Sequence, residues 1–250
     1  MKQSFSAVKW FMLVLVCVGI SSNALADTAK VIRIKGAARY SATANNQWVT
    51  LREGDILKAG AVIQTASESI VDLLVSADSV APSPVVRRFS QSTTTDAAQN
   101  TIRLRENTVL ALDKLSSEQT GADVVTDYQL DLRAGHILGN VKKLSAASRY
   151  EVKLPNGVAG VRGTLFDLGA SGSLTVYFGS VTITYYDANN LRHTTTVNAG
   201  NVLDLKTSNQ TPIPAGNRPD SVQAGNSIAA VLYTREDGTQ VTISPVMGKN

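Results

Sequence analysis

Side chains able to act as nucleophiles or metal ligands are scarce in this chain of 250 residues. It holds two histidines, His136 and His193, and a single cysteine, Cys17. A protein metal site takes three or four ligands, so both histidines would have to meet carboxylates. The segment Gly169-Ala170-Ser171-Gly172 has the wrong spacing for a nucleophile elbow and predicts a hairpin turn. We therefore predict no catalytic residue, no metal and no cofactor.

Four aspartates are the candidates for acid and base chemistry: Asp55, Asp72, Asp131 and Asp167. A pair of carboxylates is assembled only by the fold, so a carboxylate-dependent hydrolase stays an alternative. The simpler interpretation is that each carboxylate caps a turn or pairs with a cation. Asp55 follows Gly54, and this order favours a turn in which the carboxylate accepts hydrogen bonds from backbone amides two residues on.

The most informative stretch is residues 152–168, V-K-L-P-N-G-V-A-G-V-R-G-T-L-F-D-L. Two short apolar runs flank Pro155-Asn156-Gly157, and these three residues favour a β-turn. Gly160 and Gly163 fall inside a strand-like pattern, where glycine marks a bulge or a close approach of two backbones. The stretch therefore predicts two strands and a tight corner.

Arg162 lies inside this corner, between Val161 and the run Thr164-Leu165-Phe166. A long cation with such apolar neighbours is expected to reach a carboxylate or a carbonyl, because an unpaired buried guanidinium is costly. We interpret it as an internal clamp, and the alternative is a site residue. The candidate carboxylate partners are Asp55, Asp72 and Asp167.

The hydrophobic pattern has a period of two along most of the chain. Many short β-rich runs are broken by Gly, Asn and Ser, and this spacing predicts an all-β sandwich, barrel or roll. A glycine followed by a polar residue and two β-formers recurs without a fixed period. We interpret each of these glycines as a corner that sends a strand back across the core; they are Gly54, Gly135, Gly179 and Gly200.

V-R-G-T and the strand after it closely resemble the hallmark of the FecR domain, an all-β extracytoplasmic module of bacteria. Residues 29–60 are similar to the family's opening, with Ala61 where an acidic residue usually stands, and residues 131–138 to its central strand pair. The resemblance runs from about Ala29 to about Leu205 and implies a rolled β-sandwich or β-roll. The matching structural positions are Gly54, Asp55, Gly60, Gly135, Gly157, Val161, Arg162, Gly163, Thr164 and Phe166.

The N-terminus has the pattern of a secretory signal peptide. Lys2 and Lys9 precede the apolar run 10–20, and Ala24-Leu25-Ala26 is a small-residue cleavage site. The apolar run is too short to span a membrane, which takes about 20 residues. The predicted mature chain begins at Asp27 and is exported to the periplasm, the cell surface or the medium.

We divide the chain into a signal peptide (1–26), a FecR-like domain (27–206), a linker (207–227) and a C-terminal hairpin or tail (228–250). A polar loop is expected at residues 80–100, and the best candidate for a helix is Asp220–Ala230. Without Lys2 and Lys9 the formal charge of +4 falls to +2, too small an excess to indicate nucleic acid.

The known sensors of the family carry a cytoplasmic segment and a spanning helix, neither of which the sequence predicts here. We therefore expect an exported, non-enzymatic binding or scaffold module that contacts a protein or a cell-envelope glycan. The alternatives are a periplasmic signalling accessory of a separately encoded membrane protein, and the hydrolase above. Aromatic residues that could stack on sugars are Trp48, Tyr177, Phe178, Tyr185 and Tyr186.

Overall fold

The computed structural model describes residues 25–42, 47–77, 100–120, 123–214, 231–234 and 240–243. No helix occurs among these residues, and the predicted all-β class is confirmed. The predicted signal peptide up to residue 24, the expected polar loop up to residue 99 and the predicted helix Asp220–Ala230 lie outside them.

Twenty strands are described. They are β1 Leu25–Lys35, β2 Ala38–Ser41, β3 Val49–Thr50, β4 Ile56–Leu57, β5 Val62–Thr65, β6 Ile70–Ala77, β7 Asn100–Leu104, β8 Val109–Thr120, β9 Asp123–Ala134, β10 His136–Val141, β11 Arg149–Leu154, β12 Gly157–Val161, β13 Thr164–Gly169, β14 Ser173–Phe178, β15 Ser180–Tyr186, β16 Arg192–Asn198, β17 Asn201–Asp204, β18 Asn209–Pro212, β19 Val231–Thr234 and β20 Gln240–Ile243.

The first eighteen strands form two sheets that face each other. Sheet A has the order β3-β2-β5-β8-β9-β11-β12-β15-β16. Sheet B has the order β4-β1-β6-β7-β10-β13-β14-β17-β18. The start of β1 also pairs with β8 of sheet A, so the two sheets are continuous and form a roll. β9 and β11 run parallel.

Glycines stand where the chain leaves one sheet for the other. Gly135 lies between β9 and β10, Gly179 between β14 and β15, and Gly200 between β16 and β17; their φ angles are 77°, 78° and 81°. Such positive angles are open to glycine at little steric cost. Gly163, at φ 65°, makes the same change of sheet between β12 and β13. The corners predicted from the sequence are therefore confirmed at Gly135, Gly179 and Gly200.

The core lies between the sheets and follows the period of two. Alternate residues of β9 point inward, and β8 also contributes inward residues although two register shifts interrupt its alternation. The inward residues include Leu110, Leu112, Leu130 and Leu132, none more than 1% exposed. Burial of each such side chain contributes roughly 2 kcal/mol relative to exposure. The facing layer comes from sheet B; its fully buried members include Val31, Leu73, Leu104, Ile137, Leu168, Leu174 and Val176.

The sheets continue past the boundary predicted at residue 206. β18 pairs with β17, so Asn209–Pro212 belongs to sheet B although the sequence places these residues in a linker. Ile213 is buried, and its amide donates to the carbonyl of Gly200 at 2.9 Å. Farther on, β19 and β20 pair antiparallel in the segment predicted as a hairpin or tail.

Candidate binding groove beside the V-R-G-T corner

The V-R-G-T residues form a corner that packs against the backbone of Lys143 and Ser180. Val161 ends β12 in the core, and Gly163 turns the chain with its α-carbon against the backbone of Lys143. A β-carbon built on Gly163 would lie 3.2 Å from the α-carbon of Lys143. Thr164, which is 1% exposed, donates its hydroxyl to the carbonyl of Ser180 at 2.8 Å. The close approach predicted for Gly163 therefore occurs.

Arg162 points outward from this corner. Arg162 is exposed, and its Nε donates to the carbonyl of Leu144 at 3.1 Å. The sequence predicted a carboxylate or a carbonyl, and the carbonyl is the partner found. The candidate carboxylates are engaged elsewhere: Asp72 binds Arg103, and Asp167 binds Arg105. The reason is that Arg162 follows an inward-facing valine in β12, so its side chain leaves on the solvent face.

Replacement of Arg162 by alanine is therefore expected to change the stability only slightly. The variant loses one hydrogen bond to a carbonyl and leaves no carboxylate unpaired, so we expect the free energy of unfolding to fall by about 1 kcal/mol or less. Differential scanning calorimetry of the two proteins measures the change. A loss of about 3 kcal/mol would instead support the interpretation of Arg162 as an internal clamp paired with a carboxylate.

Three other motif positions are sites of close packing. Gly157 starts β12, and a β-carbon there would meet the carbonyl oxygen of Thr184 at 2.6 Å. Phe166 is 1% exposed, and its ring covers Gly139 of the neighbouring strand, where a β-carbon would lie 2.5 Å from the ring. Gly60 donates its amide to the carbonyl of Leu112 at 2.7 Å. These positions hold strands together.

Asp55 accepts a backbone amide in a turn as expected, but the amide comes from a residue before it in the chain and not after it. Its Oδ2 accepts the amide of Arg52, three residues before it, at 2.8 Å. Gly54 precedes it with φ 90°, and the Gly54 amide donates to the carbonyl of Val31. The turn therefore ties the loop before β4 to β1.

An open groove of about 440 Å³ lies across the ends of β8, β9 and β11. Lys114, Asp127 and Arg149 form its charged centre, and all three have exposed side-chain surface. The remaining lining residues are Ser116, Ser117, Glu118, Val125, Thr126 and Ala147. We call this set the β8–β11 groove. Ala147 and Arg149 follow the 142–146 segment, in which the Leu144 carbonyl accepts the hydrogen bond from Arg162.

Asp127 is held between two cations in the groove. Arg149 donates through Nε and an Nη atom to its two carboxylate oxygens at 2.9 and 2.8 Å, and Lys114 donates to Oδ2 at 2.6 Å. The hydrogen bond from Arg149, with further help from Lys114, lowers the pKa of Asp127 to about 2. The carboxylate thus stays ionised, and both cations line the groove with N–H groups that Asp127 does not use.

We expect Arg149→Gln to raise the pKa of Asp127 from about 2 toward its ordinary value near 4, because the largest cause of the shift is removed. A depressed pKa means that the stabilising contribution of Asp127 is present above its ordinary pKa and is lost as the pH falls toward 2. Carbon-detected NMR of the Asp127 carboxyl group between pH 1.5 and 6 measures both proteins. Lys153→Gln, which breaks the separate pair with Asp113, is the control and should leave this titration unchanged.

Beneath the groove lies a buried polar cluster that the sequence did not reveal. Asp27 is 1% exposed, and its two carboxylate oxygens accept hydroxyl groups from Ser117 at 2.7 Å and Tyr128 at 2.5 Å. Burial, with the hydrogen bond to Asp27, raises the pKa of Tyr128. Tyr150 packs edge-on against the Tyr128 ring, with centroids 5.8 Å apart, and burial raises its pKa as well.

The two histidines lie on separate sheets. His136 begins β10, with Nδ1 3.6 Å from Asp167, while His193 of β16 contacts Asp187 at 2.9 Å. Across the residues that the structure describes, no group of three His, Cys, Asp or Glu residues could hold a metal ion.

Among the candidate aromatics, Tyr185 is buried and Tyr186 exposed, as expected for neighbours on one strand. Trp48 is partly covered by Arg39, whose guanidinium lies 4.7 Å from the ring centroid. Neither Trp48 nor Tyr186 lines the β8–β11 groove.

The fold and the motif corner define a class of protein: an all-β roll in which the chain passes from one sheet to the other at glycine corners. In the comparison with family models, the model described as FecR protein matches residues 90–182. The match includes the V-R-G-T corner and every residue of the β8–β11 groove. A search of the curated proteins gives no match.

The matched range is shorter than the resemblance inferred from the sequence. Residues 29–60, which resemble the family's opening, precede it, although β1 to β4 belong to the same two sheets. The FecR family is associated with signalling at the cell envelope. Where the structure describes the chain, it contains no helix with the length and apolar character needed to cross a membrane.

Proposed function

We propose that this chain is an exported, non-enzymatic FecR-domain module of the bacterial cell envelope that binds a protein or an envelope glycan at the β8–β11 groove. The observation that carries the proposal is the position of this groove inside the family-matched segment, next along the chain to the Leu144 carbonyl that the motif's Arg162 binds. Export rests on the signal-peptide pattern of residues 1–26.

The chemistry of the groove supports recognition of a polar ligand. Lys114 and Arg149 supply N–H donors beyond those that bind Asp127, and Ser116 and Ser117 add hydroxyl groups. Such a surface offers hydrogen bonds to carboxylate, hydroxyl or carbonyl oxygens. Hydroxyl-rich glycans and extended polar peptides both present these oxygens, so both ligand classes fit the groove.

Affinity capture from isolated cell envelopes tests this function. The bait is the exported chain from Asp27 onward, crosslinked and analysed by mass spectrometry, beside binding assays on purified envelope polysaccharide. The site variant is Lys114→Ala with Arg149→Ala. The control is Arg133→Ala with Lys153→Ala, which breaks the ion pairs to Asp131 and Asp113 outside the groove.

We expect the site variant to lose the captured ligand and the control variant to keep it, with crosslinks near the groove. Retention by polysaccharide alone identifies a glycan, whereas one reproducible membrane protein favours the signalling accessory. Equal capture by both variants would show that the groove is not the binding surface.

A further inference from the structure

We propose that β16 is an assembly edge, through which a second copy of this chain adds to sheet A in antiparallel orientation. This inference is independent of the groove ligand proposed above. It comes from a comparison of the four edge strands of sheets A and B, which are β3, β16, β4 and β18.

Three of these edges carry features that discourage strand addition. β3 and β4 have only two residues each, and β18 has four residues and ends at Pro212, which has no amide hydrogen. Natural sheets use short strands and edge prolines for this purpose. β16 has seven residues, Arg192–Asn198, with no proline, no lysine and no break in its register with β15. It is the one long, regular edge among the four.

The hydrogen-bonding groups of β16 that face away from β15 can be assigned. The amide of Tyr186 donates to the carbonyl of Asn156, just before β12, and its carbonyl accepts the Asn156 side-chain amide. The backbone groups of Tyr186 therefore point toward β12 and away from Arg192, its partner in β16. The backbone N–H and C=O groups of successive residues in an antiparallel strand point to opposite sides. The odd-numbered residues of β16 therefore bond to β15. The amides and carbonyls of Arg192, Thr194 and Thr196 therefore point outward.

The threonine side chains agree with this assignment. Thr182 and Thr196 hydroxyls lie 3.1 Å apart, and Thr184 and Thr194 hydroxyls lie 2.9 Å apart. Cross-strand side chains come closest in pairs that exchange no backbone hydrogen bonds. Thr194 and Thr196 thus occupy non-bonded positions toward β15 and leave their backbone groups for a strand on the other side.

A second copy matches this edge in one particular register. With a twofold axis at Thr195, Thr194 of each copy lies opposite Thr196 of the other, and outward-facing backbone groups meet. Arg192 lies opposite Asn198, so no like charges are opposed across the interface. Threonines also lie opposite each other between β15 and β16, in that case at positions that exchange no backbone hydrogen bonds.

Exposed apolar side chains at both ends of β16 favour the same occupant. Leu191, just before the strand, is 61% exposed, and Phe178, beside the corner that follows it, is 40% exposed. The Ala199 amide donates to the carbonyl of Gly179, next to Phe178. In the proposed register Leu191 of one copy lies opposite Ala199 of the other, which brings these apolar residues to the same end of the interface.

Sedimentation velocity and light scattering of the exported chain from Asp27 onward test the proposal. The variant is Thr194→Pro, which removes an outward amide while the hydrogen bonds between β15 and β16 remain. Gln210→Pro makes the matched change at an outward position of β18, since the adjacent Thr211 and Ile213 face β17. A second variant, Thr194→Lys with Thr196→Lys, keeps every amide and opposes like charges across the axis.

We expect the wild-type chain and Gln210→Pro to form dimers, and Thr194→Pro and the double lysine variant to dissociate at least about tenfold more readily. Circular dichroism should show the same fold in all four proteins. A wild-type chain that stays monomeric at 100 µM, or a folded lysine variant that dimerises as well as the wild type, would overturn the proposal. Neither result would affect capture of a ligand by the β8–β11 groove.

Discussion

Gly135→Ala is expected to destabilise the protein by roughly 3 kcal/mol or more. Gly135 adopts φ 77°, a conformation that costs alanine about 1–2 kcal/mol. The added β-carbon would also lie 2.3 Å from Oγ1 and 2.5 Å from the α-carbon of Thr108. Thr108 is fully buried, and its hydroxyl bonds to both the amide and the carbonyl of His136. The clash therefore disturbs the connection between β9 and β10.

Gly54→Ala is the matched control for this experiment. Gly54 has φ 90°, and no atom lies within 4 Å of a β-carbon built on it. Its replacement should cost only the backbone strain of about 1–2 kcal/mol. Urea unfolding of both variants gives the two free energies. Equal losses would show that the packing against Thr108 contributes nothing and that the strain alone accounts for the effect.

Tyr128→Phe is expected to lower the free energy of unfolding by about 1.5–3 kcal/mol, the usual range for a hydrogen bond to a charged group. The substitution keeps the aromatic ring and its contact with Tyr150 but removes one of the two hydroxyl donors to Asp27. The carboxylate is 1% exposed, so water cannot easily replace the lost donor.

Tyr150→Phe removes the hydroxyl group of the adjacent ring, but we expect no loss of stability. The Tyr150 hydroxyl is buried and has no hydrogen-bond partner among the described residues, so its removal should leave the stability unchanged or raise it. Thermal and urea unfolding of both variants at pH 7 measure the difference. If the two substitutions were equally harmful, the bond between Tyr128 and Asp27 would not be the source of the loss.

Much of the fold could be predicted because its determinants are local in sequence. The period of two follows from the alternation of side chains along a strand, and it predicted the β-rich runs that form β8 and β9. The glycine corners could be predicted for a similar reason. A positive φ at Gly135 or Gly179 excludes most other residues, so the requirement is visible in the residue type itself.

Contacts between distant residues could not be predicted in this way. Asp27 finds its partners 90 and 101 residues away, and no spacing rule connects them. The partner of Arg162 could not be predicted for the same reason, because the sequence left three candidate carboxylates as well as a carbonyl. The β8–β11 groove likewise depends on the parallel pairing of β9 with β11, which places Arg149 beside Asp127.

The segment that matches the family model is not a unit that can be excised from the roll. β7 pairs with β6, and β8 pairs with β5, so both lose a neighbour if the chain starts at residue 90. An end at residue 182 cuts β15 in the middle. Such a fragment would present β7 and β8 as newly exposed edge strands, and β8 alone has twelve residues. Unprotected edges of this length favour aggregation. Expression trials of this protein should therefore keep the chain from Asp27 through Ile213 intact.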